Sequence, residues 1–227
     1  MDPRQLFVDR RLQGYCVYCG RDPDTRDHVP SRVLLDEPYP SNLAVVDCCL
    51  KCNTEFSIDE EYLAAFVECV IYGTTHADKV SRPKISRILE QKPELSARIA
   101  KTETKDKAGN QSWVPETDRV AGIVLKLARG HVAYELGLLQ LDTPVSINFV
   151  PIDLMSDPQF ENFMDTAPNT FSGWPEIGSR AFINSSKQTL GGYENWLVVQ
   201  PGRYHYLVSQ IAGITVRMII FRSSDLI

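Results

Sequence analysis

No run of about 18 consecutive apolar residues occurs in this chain, which excludes a membrane-spanning helix. Its first eleven residues carry Asp2, Arg4, Asp9, Arg10 and Arg11 and lack both an apolar stretch and a small-residue cleavage site, so no secretory leader is read there. A cytoplasmic location is the expectation. Internal repeats and low-complexity tracts are absent, and the second half holds neither a G-x-G-x-x-G run nor a P-loop, the usual fingerprints of nucleotide binding. Positive charge is in deficit: 24 Lys and Arg face 29 Asp and Glu, a formal net charge of −5. That balance disfavours tight, unaided binding to a polyphosphate backbone.

What is present is ordinary in bulk and uneven in distribution. The 227 residues suit one large domain or two small ones, and 43% hydrophobic with 23% charged content is typical of a globular chain. Residues 1–60 carry 7 basic and 11 acidic side chains, and residues 140–227 carry 5 and 8. Residues 79–107 reverse the sign, with Lys79, Arg82, Lys84, Arg87, Lys92, Arg98, Lys101, Lys105 and Lys107 against Glu90, Glu94, Glu103 and Asp106. Such a segment is either a phosphate-gripping surface or a solvated helical face.

The six cysteines do not read as a disulfide framework. Cys16/Cys19 and Cys49/Cys52 form two C-x-x-C pairs, the chelating arrangement that tetrahedral zinc takes from four thiolates. A redox C-x-x-C needs one pair rather than two. Only Cys49 has the two-residue gap to Cys52, so Cys48 is assigned to the core, as is Cys69 among apolar neighbours.

The pattern predicts a zinc knuckle over Tyr15–Cys19, a strand over Thr25–Val29, a loop from Pro30 to Pro40, a strand over Asn42–Val46 and a helix opening after Cys49. Ser57 and Glu60 have capping-box spacing and predict a helix restart. Tyr62, Leu63, Phe66, Val67, Val70 and Ile71 follow at helical spacing up to Gly73. Residues 80–101 suit short amphipathic helices broken near Pro93, residues 101–112 a loop or hairpin end, and Thr117 or Asp118 caps a core-facing helix ending at Gly137. Strands are expected at residues 145–152, 179–184, 195–200, 204–211 and 214–221, with a short helix over Asp157–Met164. His131 and His205 are read as structural, His76 as a surface residue, and Trp174, Tyr193, Trp196 and Tyr204 as core aromatics.

Between the cysteine pairs lie Asp27 and His28, and Asn53 follows the last cysteine directly. Imidazole titrates where a water must be deprotonated, and phosphodiester hydrolysis needs a cation at the scissile phosphate. Asp27 and the Asn53 amide offer hard oxygen donors that suit Mg²⁺ or Mn²⁺. In a regular strand Asp27 and His28 point to opposite faces, so their convergence calls for a bend near Pro30.

The series D-H-V-P-S, then N-L, then C-L-K-C-N, resembles the HNH (ββα-metal) endonucleases, in the branch with a zinc-binding C-x-x-C pair on each side. The match covers roughly 40 residues. The resemblance implies His28 as general base, Asp27 and Asn53 as ligands of a catalytic divalent cation, Asn42 as the residue orienting His28, and ends with 5′-phosphate and 3′-hydroxyl. The turn before Asn42 is the longer D-E-P-Y-P, and the final position is Asn rather than His. Arg26, Lys51, Lys84 and Arg87 are the expected phosphate contacts.

The expected fold class is α+β: a zinc-stapled ββα-metal, treble-clef-like module over residues 1–56, a helical region over 57–137 with the basic segment, and a mainly antiparallel β region over 138–227. The expected function is DNA cleavage by a metal-dependent HNH endonuclease with structural zinc and catalytic Mg²⁺ or Mn²⁺. A non-catalytic zinc-dependent module binding nucleic acid or protein is the alternative. A nuclease effector gated through its C-terminal region is another, with a second copy or a protein partner supplying the missing cationic grip.

Overall fold

The computed structural model describes residues 14–105, 107, 109, 111–165, 196–210 and 213–221. The lead-in before residue 14, the strand expected at 179–184, Trp174 and Tyr193 lie outside the described residues. The architecture is mixed α+β with antiparallel sheets. No helix among the described residues is long and apolar enough to cross a membrane.

The N-terminal part runs strand, strand, helix. β1 (Thr25–Val29) pairs antiparallel with β2 (Ala44–Cys48), and α1 (Leu50–Tyr72) follows at once. The connection between the strands holds one 3-10 turn, Arg32–Leu34. α1 begins where Asp24 Oδ1 accepts the Leu50 amide at 2.5 Å, a carboxylate placed on an otherwise unpaired helix-end donor. The predicted restart at Ser57 does not occur. α1 is continuous there, and the Ser57 hydroxyl bonds back to the Thr54 carbonyl at 2.9 Å, so it serves helix interior rather than cap.

Further along, α2 (Pro83–Gln91) and α3 (Pro93–Ala100) each open on proline, which is pre-set for the first helical turn and has no amide to leave unpaired. β3 (Glu103–Lys105) and β4 (Gln111–Trp113) make a short hairpin. α4 (Thr117–Leu136) carries Asp118 in its first turn and stops at Gly137, whose φ of 64° and amide bond to the Ala133 carbonyl make a left-handed terminus. The strand expected at residues 145–152 is absent. That segment is irregular, Val145 is fully solvent-exposed and Val150 half so, because β-branched residues form strand only against a partner. α5 (Asp157–Met164) opens with a Ser156–Gln159 capping box. β5 (Leu197–Gln200), β6 (Tyr204–Gln210) and β7 (Ile214–Ile220) form an antiparallel sheet in that order.

By contact the chain divides into two compact units, Met1–Asn53 with Leu125–Ile227, and Thr54–Val124. The second has its own core of Tyr62, Leu63, Phe66, Ile85, Leu89, Ile99 and Ile123, with a buried Arg82–Glu68 ion pair at 3.4 Å. In the first, α5 and the sheet bury Met164, Trp196, Leu207 and Ile219 together, and the Trp196 indole donates to the Met164 carbonyl at 3.2 Å.

Also in the first unit, the second half of α4 lies on the buried face of β1. Residues four apart on a helix are about 6 Å apart along it, close to the spacing of alternate strand residues. Lys126 and Gly130 thus match Asp27 and Val29: the Lys126 ammonium meets Asp27 Oδ2 at 2.5 Å, and a Cβ on Gly130 would stand 2.7 Å from Val29 Cγ2. The missing side chain at Gly130 is what lets helix and strand approach this closely.

Candidate metal centre and the Asp27–His28 strand

The first C-x-x-C closes a turn in which the Gly20 amide bonds the Cys16 carbonyl at 2.8 Å, with Gly20 at φ 75°. Val17 N to Asp47 O and Asp24 N to Cys48 O tie this knuckle to β2, while Cys49 and Cys52 ride the start of α1. The four ligand sulfurs, of Cys16, Cys19, Cys49 and Cys52, lie within 4.8 Å of one another. Around tetrahedral zinc, with bonds of about 2.3 Å, sulfurs sit about 3.8 Å apart. The Cys19 and Cys49 sulfurs are 3.7 Å apart. The four cysteines form a cluster that can hold a zinc ion.

Its thiols are shifted in both directions. Burial raises the Cys16 and Cys52 thiols, and Cys52 is raised further by hydrogen bonds with Cys49 and Cys19. At Cys19 burial is again the largest influence and acts upward, but hydrogen bonds with Arg21, whose Nε is 3.5 Å from the sulfur, and with Cys16 and Cys52 together bring the thiol down to about 6. Cys19 thus favours the thiolate near neutral pH, and Cys16 and Cys52 lose their protons most easily to a bound metal. Cys48 stands apart, fully buried with Thr25 Oγ1 3.2 Å from its sulfur and pushed up to about 11 by that burial. Cys69, in the core, is pushed up to about 12 by burial.

β1 keeps its register with β2 from Thr25 to Val29 without a bulge. Asp27 therefore faces the interior with Val29, and His28 leaves by the other face with Arg26, opposite Val45 and Asp47. The strand does not bend to bring Asp27 and His28 onto one side. Asp27 is only 8% exposed, and two groups reach the same oxygen, Oδ2: the Tyr18 hydroxyl, donating at 2.9 Å, and the Lys126 ammonium. Lys126 is itself 1% exposed, donates to Ser31 Oγ at 3.1 Å and lies 5.3 Å from the centre of the Tyr18 ring.

Asn53 sits in the first turn of α1 and reaches back to β1, its Nδ2 3.4 Å from both Thr25 Oγ1 and the Arg26 carbonyl. With the nitrogen turned to the strand, the amide oxygen is the atom left to accept a cation. Each residue of the Asp27–Asn53 pair thus keeps one oxygen outside the bonds just described. Asn42 is exposed in the turn before β2, and among the described residues its side chain makes no bond to His28.

Arg26 is exposed and pairs with Asp47 at 3.5 Å, and the two line, with Pro23, Asp24 and Thr25, an open cleft of about 320 Å³. Lys51 is exposed on α1, Lys84 is half-buried and Arg87 exposed on α2, with Arg87 Nε donating to the Pro83 carbonyl at 3.2 Å. Among the described residues of the basic segment, carboxylates partner Arg82 (Glu68), Lys92 (Glu61), Arg98 (Glu116) and Lys105 (Glu103). The sequence signal for Lys126 is a lone lysine three residues after Ile123 and next to Leu127, on the apolar stripe of α4.

Compared with known proteins, the chain matches no protein-family profile, no curated protein and no solved structure.

Proposed function

We propose that this chain is a metal-dependent HNH-type endonuclease, cleaving phosphodiester bonds of DNA, with a structural zinc on Cys16, Cys19, Cys49 and Cys52 in a treble-clef-like ββα module. One observation carries the reading: the cysteine cluster anchors the start of α1, from which Asn53 reaches β1 at Thr25 and Arg26, beside Asp27 and His28. A spare structural turn needs none of these three residues, whereas hydrolysis of a phosphodiester uses a base and two hard-oxygen donors.

Asp27 and Asn53 would hold Mg²⁺ or Mn²⁺, which neutralises charge building on the phosphate. His28, on the outer face of β1, accepts the proton of the attacking water at an imidazole nitrogen. Because the two donors and the base lie on opposite faces of the strand, the scissile phosphate lies across its edge. Arg26, on the His28 face, and Lys51, on α1, are the cations that hold neighbouring phosphates. The four cysteines would hold the zinc between the knuckle and the start of α1, where it would tie strand to helix and supply no chemistry to the reaction.

The test is plasmid nicking with Mn²⁺ or Mg²⁺ added to zinc-loaded protein. His28→Ala is expected to lower cleavage by at least a hundredfold, the usual worth of a general base, with unchanged zinc content and circular dichroism. Cleavage by His28→Ala at the wild-type rate would remove the proposed mechanism. A second reading, a non-catalytic zinc module for nucleic acid or protein, is favoured by the burial of Asp27 against Lys126. It predicts binding without nicking in any metal.

A further inference from the structure

The Asp27–Lys126 pair is a buried ion pair at the residue that the proposed reading makes a cation ligand. Three features hold the ammonium there. Gly130, one turn on, brings α4 onto β1, Ser31 Oγ accepts a second bond from Nζ at 3.1 Å, and the Tyr18 ring lies beside the charge. Tyr18 also donates to Asp27 Oδ2, and its carbonyl accepts from Arg129 Nη1 at 3.2 Å, so α4 grips the same knuckle residue from a second position. The ammonium is thus placed by the fold rather than swung in from solvent.

A carboxylate so paired carries little net charge outward. A divalent ion approaching Asp27 meets one unit of positive charge within a few ångström, in surroundings that screen it poorly. The remaining donor, the Asn53 amide, is neutral and cannot offset that repulsion. We propose that Lys126 is the resident cation of the Asp27 site: a divalent ion takes Asp27 as ligand only in competition with this ammonium, which sets the site's affinity low and makes metal occupancy depend on a shift of α4 against β1. The inference rests on the proposed role of Asp27 as a cation ligand, and it assigns to α4 a control over the site.

The experiment is Mn²⁺ titration of the zinc-loaded full chain, followed by calorimetry and by Mn²⁺ electron paramagnetic resonance. Lys126→Met removes the charge and keeps the length of the side chain. Its Mn²⁺ dissociation constant is expected to fall at least tenfold below that of the wild type, and its melting temperature to rise with added Mn²⁺. Asp27→Asn combined with Lys126→Met, a neutral pair, is expected to lose that gain entirely. If Lys126→Met does not fold, Lys126→Gln, which keeps a neutral donor for Asp27, takes its place. Unchanged Mn²⁺ affinity in a folded, zinc-loaded Lys126 variant overturns the proposal. A merely structural lysine would cost stability when replaced but would not raise metal affinity. Failure of the nuclease reading is seen separately, as tight Mn²⁺ binding by Lys126→Met with no nicking by either protein.

Discussion

His131 shows how one residue's surroundings fix its protonation. It is fully buried, stacked on Tyr206 with ring centroids 3.7 Å apart, and its Nε2 lies 2.8 Å from the Tyr204 hydroxyl. That hydroxyl also lies 3.2 Å from Met218 Sδ. Burial, reinforced by the Lys126 charge, lowers the imidazole to about 3. The unfolded chain binds a proton near pH 6.5 that the folded chain refuses, so stability is complete above 6.5 and declines as pH falls toward 3. The loss is about 1.4 kcal/mol per pH unit in that window. Denaturant unfolding at pH 7 and pH 4.5 is expected to show wild type losing about 2–3 kcal/mol more than His131→Gln. Equal losses would assign the acid sensitivity to other groups.

At the scale of elements, the decisive contact is α4 on β1. The Lys126–Asp27 and Gly130–Val29 pairs match because helix and strand repeat at nearly the same length. Gly130→Ala places a methyl within 2.7 and 2.9 Å of the two Val29 γ-carbons, and a branched side chain on a strand has little room to yield. The overpacking, about 1–3 kcal/mol, outweighs the gain of about 1 kcal/mol in helix propensity. Thermal melts are expected to show Gly130→Ala destabilised and Val29→Ala/Gly130→Ala partly restored relative to it. A neutral or stabilised Gly130→Ala would mean that α4 and β1 are not in such close contact. The predicted elements that failed did so for lack of neighbours or from excess of them. Residues 145–152 have strand composition but pair with no strand among the described residues, and Ser57 has cap composition inside a helix that Asp24 already begins.

For the whole molecule, the two units have separate cores, and only the first contains the cysteine cluster. Stripping zinc with a chelator is expected to abolish hydrogen-exchange protection in β1 and β2 while protection persists in α2 and α3, whose core of Ile85, Leu89, Leu95 and Ile99 owes nothing to metal. Simultaneous loss in both would show one cooperative system. The acidic balance retains its meaning at this scale. Arg82, Lys92, Arg98 and Lys105 are paired with carboxylates, so the positive charge of the basic segment is partly neutralised within the protein itself.

The amino-acid sequence alone determined the parts that depend on local spacing: four cysteines at chelating intervals, β1 at Thr25–Val29, the proline-led helices and the helix stop at Gly137. The cysteine spacing, the proline starts and the glycine stop are fixed by covalent distance and backbone stereochemistry, which need no distant partner, whereas β1 also needs β2 beside it. The tertiary structure decided the environment of each chemical group. A strand's alternation says that Asp27 and His28 diverge, but only the fold puts Lys126, nearly a hundred residues on, against the Asp27 carboxylate. Long-range charge pairing leaves no periodic trace in a sequence, because it depends on which helix face meets which strand face.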